Sequence, residues 1–290
     1  MYKIIIYGSS GFLGKKLVKF LNKKNYKLIK DNDNQKKKLK TTKNLFDFFL
    51  KQIKKNKPDV IINLVALTNV DQCENNKKLA KKTNIFFTKE LVQAINSYHN
   101  KIHLIHVSTD QVYNGKGSHI EKKPQPINFY GYTKLQGEVF AQKTFSTILR
   151  TNFIGKGEDE KKLSLSDWIV NSVVKNKKID LFKNIFFSPL HTSTLVKLIE
   201  KVIKMKKKGI FNLSSKSKIS KADFANRLCK ELKLSLKNIN KTNYNYKKLL
   251  AKRPLDMSLN VTKFEKYYNV RLPKVTNEIK KLVKEYSSVV

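Results

Sequence analysis

The stretch YKIIIYGSSGFLGKKLVKFL, residues 2–21, constrains the fold more than any other part of the chain. Residues 2–7 are β-branched and aromatic, the composition of a strand. Leu13, Leu17, Phe20 and Leu21 then recur at helical spacing, which gives one apolar helix face. Between strand and helix stand Gly8, Gly11 and Gly14, the Gly-x-x-Gly-x-x-Gly spacing of a turn built for close approach. Gly8 permits the tight turn, Gly11 admits a pyrophosphate to the backbone, and Gly14 lets helix and strand pack closely. An anion then meets the N–H groups and the positive dipole end of the helix, with Ser10, Phe12 and Leu13 beside it.

The rest of the chain extends this unit. Strand-like runs follow at 26–29, 59–67, 102–108 and 146–150, separated by helical periodicity near 44–56, 77–98 and 131–143. Strands alternating with helices predict βαβ units, and near-continuous apolar runs predict interior strands covered on both faces. The expected fold is α/β, a Rossmann-like doubly wound parallel sheet with a smaller C-terminal substrate-binding lobe. Residues 1–152 form the nucleotide-binding domain and 153–290 mainly the lobe, with segments near 186–213 returning to the first domain. Short strands near 179–187 and 209–213 and helices near 190–205, 220–233 and 275–286 fill that part, and 235–252 reads as a surface connection.

Composition excludes several classes. The net charge of +39 is almost all lysine spread along the chain, with arginine only at 150, 227, 253 and 271. A nucleic-acid interface concentrates charge and favours arginine, so the excess reads mainly as codon bias in an A/T-rich genome. Its physical consequence is faster encounter with anionic ligands. Cys73 and Cys229 lie far apart without metal-ligand spacing, and no apolar run approaches the ~20 residues of a membrane span. A cytoplasmic protein with neither nucleic-acid nor membrane partner is expected.

Ligands of doubly wound sheets bind outside the carboxyl ends of the strands. Polar clusters stand there at 65–74, 107–117 and 150–155. A Tyr-x-x-x-Lys pair could supply proton chemistry, but the chain has three: Tyr26/Lys30, Tyr130/Lys134 and Tyr244/Lys248. About two are expected by chance in so lysine-rich a sequence. The first lies along a strand, where residues four apart are about 13 Å distant; the last lies in a polar stretch. Tyr130/Lys134 begins a helix after KKPQPIN, so both side chains share one face, and Tyr132 points elsewhere. A neighbouring ammonium is expected to pull the Tyr130 phenol from about 10 toward neutrality, as a general acid needs.

The glycine pattern, STD at 108–110 and YGYTK at 130–134 resemble the extended short-chain dehydrogenase/reductases. NLVALTNVDQCE, HVSTDQVYNGKG, NFYGYTKLQGE, LRTNFIG and RPLDMSL are similar in order and spacing to the dTDP-4-dehydrorhamnose reductase family. That resemblance implies a Thr109, Tyr130, Lys134 triad, hydride delivery from NADPH or NADH to the C4 ketone of a nucleotide-linked 6-deoxy sugar, and a homodimer in some relatives. It also implies that Ala66, Leu67, Thr68 and Val107 line the cofactor, and that Thr109, Asp110 and Phe153 meet the sugar nucleotide. Asp31 stands where a carboxylate binds the adenosine ribose, which favours NADH, whereas Lys30 and Lys36–Lys38 could accept a 2′-phosphate; both remain open, and Asn44-Leu45 is a weak adenine contact. Where some relatives carry an acidic metal ligand on the first helix, Lys15 and Lys16 stand, so no metal is expected. His106 reads as a satisfied core residue and His191 as a candidate substrate contact. Alternatives are a reductase of another nucleotide-linked ketosugar, or a non-catalytic NADP-binding regulatory subunit, against which the intact triad argues.

Overall fold

The computed structural model describes residues 1–30, 45–98, 101–158, 163–245 and 249–287. The chain runs β1 (Tyr2–Tyr7), α1 (Phe12–Leu21), β2 (Tyr26–Lys30), α2 (Leu45–Asn56) and β3 (Val60–Asn63). Next come α3 (Val70–Asn75), α4 (Lys77–Lys81), one π-helical turn (Lys82–Phe86), α5 (Phe87–Ser97), β4 (His103–Thr109), α6 (Phe129–Ala141) and β5 (Ser146–Thr151). The remainder comprises β6 (Phe153–Ile154), α7 (Leu165–Val174), β7 (Ile179–Phe182), β8 (Phe186–Phe187), β9 (Leu190–His191) and α8 (Thr192–Met205). It closes with β10 (Gly209–Leu213), β11 (Ile219–Ser220), α9 (Lys221–Glu231), β12 (Ile239–Thr242), α10 (Thr262–Tyr268) and α11 (Val275–Tyr286).

Among the described residues the central sheet has the order β2-β1-β3-β4-β5-β10, and every pairing is parallel. Alternation along β1 feeds both faces. Ile4 and Ile6 enter a core with Leu13 and Leu17 of α1 and Ile199 and Ile203 of α8. Ile5 and Tyr7 enter a second core with Phe49 and Ile53 of α2 and Leu91 of α5. A third core, in the C-terminal lobe, joins Ile169 of α7, Phe187 of β8, Phe224 of α9 and Ile279 of α11. The helices α8 and α10 and strand β10 pack on the sheet core, whereas β8 pairs with β11 in the lobe. The strand order reverses between β1 and β3, so a crevice opens at their carboxyl ends, where dinucleotides bind in such sheets.

The structure departs from the sequence reading in places. The third strand stops at Asn63: Leu64 N–H still donates to the Tyr7 carbonyl of β1 at 2.9 Å, but Val65 N–H turns to Asn63 Oδ1 at 3.0 Å. The polar run after it winds into α3, whose first turn is capped by Asn69 accepting from Gln72 N–H. The 235–252 stretch is more than a surface connection. Its residues 239–242 pair in parallel with β7, and Tyr244 is buried edge-on against Phe182. No helix among the described residues is long and apolar enough to cross a membrane.

Candidate active site

The loops leaving β1, β3, β4 and β5 share one rim of the sheet. Gly8 has φ +84, the left-handed region that glycine tolerates. A Cβ on Gly14 would lie 2.1 Å from the Gly8 carbonyl oxygen, so only glycine lets α1 sit this close to the turn. A Cβ on Gly8 would lie 3.0 Å from the Leu64 carbonyl carbon, so the glycine turn abuts the loop that follows β3. Ser10 and Gly11 are exposed at the mouth, Phe12 is half-buried, and Leu13 turns into the core. This cradle fits a dinucleotide pyrophosphate: backbone at the surface, helix end behind it, and no side chain in the way.

Across the crevice, α6 begins at Phe129 with Asn128 as its cap, accepting from Gly131 N–H at 2.8 Å. Asn128 also donates to Gln111 Oε1 and to the Lys252 carbonyl, which fixes where the helix starts. Tyr130 and Lys134 are both buried on its inner face, and Tyr132 is 42% exposed, so the side chain between them is directed outward. The Thr109 hydroxyl acts on the Tyr130 phenol, favouring its ionised form, and donates to Asp110 Oδ1 at 3.1 Å. The structure therefore brings Thr109, Tyr130, Lys134 and Asp110 together.

One electrostatic expectation is corrected. Burial pushes the Tyr130 phenol well above its ordinary value, opposed by the Thr109 hydroxyl. Lys134 does not pull it down, because its ammonium is turned to the Val107 carbonyl at 2.8 Å. Burial also depresses Lys134 itself, to about 8, against the raising effect of Glu138.

The loop expected to line a cofactor is held by a residue that the sequence reading missed. Leu67 N–H donates to Asn84 Oδ1 at 2.8 Å, and Asn84 Nδ2 reaches the Leu67 carbonyl at 3.2 Å and Thr133 Oγ1 at 2.9 Å. Asn84 sits in the π-helical turn, a local widening that re-aims a side chain. It ties the Ala66–Thr68 loop to the helix turn between Tyr130 and Lys134. Leu67 packs in one small cluster with Cys73, Ala80 and Tyr130.

Beneath the helix lies a buried ion pair. Arg150 of β5 donates from Nη2 to Glu138 Oε2 at 2.6 Å and from Nε to both carboxylate oxygens, and both residues are essentially inaccessible. Ser108 donates to the same carboxylate. Glu138 stands four residues beyond Lys134, so helical spacing could have flagged it. His106 is a buried core residue but not a satisfied one: Nδ1 lies 3.2 Å from Asn63 Nδ2, while Nε2 has no hydrogen-bond partner among the described residues.

Asp110 is 1% exposed and accepts from Asn152 Nδ2 at 2.8 Å. Burial raises its carboxyl to about 6, against Lys221, Asn152 and Thr109. Phe153 is half-buried, its ring centroid 5.9 Å from that of Phe12, which joins the sugar-side candidate to the glycine turn. His191 is not a free substrate contact. It is 2% exposed and caps α8, and its backbone N–H donates to Glu278 while Nε2 lies 3.2 Å from Glu285. Lys16 faces Glu158 and Glu285. Asp31, Lys36–Lys38, Asn44 and Lys248 lie outside the described residues.

Fold and site together define a class: an NAD(P)H-dependent oxidoreductase on a Rossmann-like sheet. The chain belongs to the family described as RmlD substrate binding domain, which it matches over residues 2–288. It is 29% identical to the dTDP-4-dehydrorhamnose reductase of Aggregatibacter actinomycetemcomitans, over 93% of this chain and 95% of the relative. It is 28% identical, over 59% of each chain, to the probable low-salt glycan biosynthesis reductase Agl14 of Haloferax volcanii. A crystal structure of a dTDP-4-dehydrorhamnose reductase from Clostridium acetobutylicum superposes with a TM-score of 0.86 at 26% identity, covering 97% of this chain and 98% of that one.

Proposed function

We propose that this protein reduces the C4 ketone of a nucleotide-linked 6-deoxy sugar, dTDP-4-dehydro-L-rhamnose, to the alcohol. The observation that carries the reading is the burial of Thr109, Tyr130 and Lys134, the last two one helical turn apart on α6, on the rim that also holds the glycine cradle. Gly8–Gly14, Ala66–Thr68 and Val107 would hold NAD(P)H, which when bound would supply the hydride. Thr109 donates a hydrogen bond to the carbonyl oxygen, and the Tyr130 hydroxyl gives its proton to that oxygen as negative charge develops there. The tyrosinate left behind is reprotonated from solvent, so one hydride and one proton are consumed per alcohol formed. Lys134, already inside the site and a donor, would hold the nicotinamide ribose. Asp110 and Phe153 face the sugar nucleotide.

The relatives' names support this substrate, and the site supplies the acid, the orienting hydroxyl and the cofactor turn that the chemistry needs. The test is loss of NADPH or NADH absorbance on mixing with dTDP-4-dehydro-L-rhamnose. Wild-type enzyme should turn over, and Tyr130→Phe should lose at least about a hundredfold in kcat, the scale of a general acid. Equal rates would remove Tyr130 from the mechanism.

A further inference from the structure

Beyond the residues that the resemblance implies, the short helix α3 sets two carboxylates against the start of the helix that carries Tyr130. Glu74 Oε1 accepts from Phe129 N–H at 2.8 Å. Phe129 opens α6, so its amide has no acceptor within the helix. The cap residue Asn128 takes the amide of Gly131 instead, at 2.8 Å. The peptide immediately before Tyr130 is therefore held by a side chain from another element, 55 positions earlier in the chain.

Asp71, on the same helix, reaches the same place by a second route. It accepts from Ala251 N–H at 3.0 Å and from Arg253 Nη2 at 2.7 Å. Between those two residues, the Lys252 carbonyl accepts from Asn128 Nδ2 at 3.0 Å. Cys73 packs in one apolar cluster with Tyr130, and Val70 and Phe129 pack against it, so α3 touches the first turn of α6 through apolar and polar groups alike. The helix begins two residues after Thr68, the last residue of the loop expected to line the cofactor.

We propose that Glu74 is a positioning residue for Tyr130, fixing the first turn of α6 against the cofactor loop, with Asp71 steadying that turn through residues 251–253 and Asn128. This rests on the reading of the site as a reductase with Tyr130 as its acid. A proton donor must lie within hydrogen-bond reach of the oxygen it serves. What the Phe129 amide needs is an acceptor at the right reach, so Glu74 acts by contact rather than by charge.

The experiment measures kcat, KM and NADPH affinity for full-length wild type, Glu74→Ala, Glu74→Gln and Glu74→Asp, with dTDP-4-dehydro-L-rhamnose as substrate. Glu74→Ala should lose about ten- to a hundredfold in kcat, the scale of a misplaced reacting group. Its KM and NADPH affinity should stay within about twofold of wild type, because binding contacts are untouched. Glu74→Gln keeps an acceptor oxygen at the same reach and should stay within about threefold of wild type. Glu74→Asp keeps the charge but is one methylene short, and should fall with Glu74→Ala. A merely structural role would lower the fraction of enzyme that binds NADPH and leave the kcat of that fraction unchanged. If Glu74→Ala disturbs NADPH binding, the order of Glu74→Gln and Glu74→Asp decides. Wild-type kcat in Glu74→Ala, with Tyr130→Phe impaired, defeats the positioning role alone. So does an active Glu74→Asp beside an impaired Glu74→Gln, which would make the charge at the helix end the cause. If wild type does not turn over, or Tyr130→Phe matches it, the reading of the site itself fails, and the role of Glu74 falls with it.

Discussion

Glu138→Gln should be among the most damaging conservative substitutions in the chain. The glutamine keeps the shape of the glutamate and removes one charge. Arg150 would then be left with its guanidinium 1% exposed and facing a neutral amide, where it now makes three donations to a carboxylate. It cannot escape by losing its proton. Burial opposes the charge, but Glu138 and Tyr113 more than offset it and hold Arg150 above its already high ordinary value. The Tyr113 hydroxyl and the Glu121 carbonyl, which also accept from Nη1, are neutral and do not replace the carboxylate. Breaking one partner of such a pair costs about 3–5 kcal/mol. For 290 residues the unfolding entropy converts this to a fall of about 5–8 °C in Tm. Thermal and urea unfolding followed by circular dichroism would measure it. The companion variant, Glu138→Leu with Arg150→Met, should recover most of the loss, because the charge to be compensated is gone. A Glu138→Gln variant melting within about 1 °C of wild type would refute the reasoning, as would a double variant no more stable than the single one.

Two further predictions concern pH. Burial raises the Glu285 carboxyl, but the His191 ring, the Lys156 N–H and Lys16 outweigh it and bring the group from 4.5 down to about 2. Its contribution is therefore present above 4.5 and lost as pH falls through 2. Glu285→Gln should destabilise by about 3 kcal/mol near neutrality, with the gap to wild type closing across that window in pH-dependent melting. Asp110 runs the other way, because burial lifts it from 3.8 to about 6. Stability present below 3.8 is lost as pH rises through 6, so Asp110→Asn should melt higher than wild type by about 2–3 kcal/mol near pH 8 and match it near pH 4. A pH-independent difference in either case would contradict the assignment.

What the sequence made legible follows from local physics. The strands β1, β3 and β4 carry short buried apolar runs, so local composition finds them. The glycines at 8, 11 and 14 act within one turn and can be read without the rest of the fold. Tyr130 and Lys134 stood out from two equally spaced pairs because helical spacing puts both on one face. The π-helical turn that aims Asn84, and the partner of Glu138, depend on contacts between distant elements. The 235–252 stretch misled for a related reason, since lysine and asparagine on the outward positions of β12 hide a strand whose inward contacts are few.

The stretch 128–138 can now be read as a complete device. Tyr130, Lys134 and Glu138 recur every four residues, so they form one stripe along α6. The first is the proton donor of the proposed reaction, the second faces the Val107 carbonyl, and the third is locked to Arg150 in the sheet. The glycines of the stretch serve the helix's other contacts. A Cβ on Gly131 would lie 2.2 Å from the Gln111 carbonyl, and one on Gly137 would lie 2.6 Å from that of Asn84. Both let the helix sink against the loop after β4 and against the π-helical turn. A stripe of functional groups is only as exact as the seat of its helix, and here Asn128 sets the start, two glycines set the depth and one buried ion pair sets the far end. Motif and scaffold are thus the same eleven residues, which explains how so short a segment could stand out in a sequence saturated with lysine.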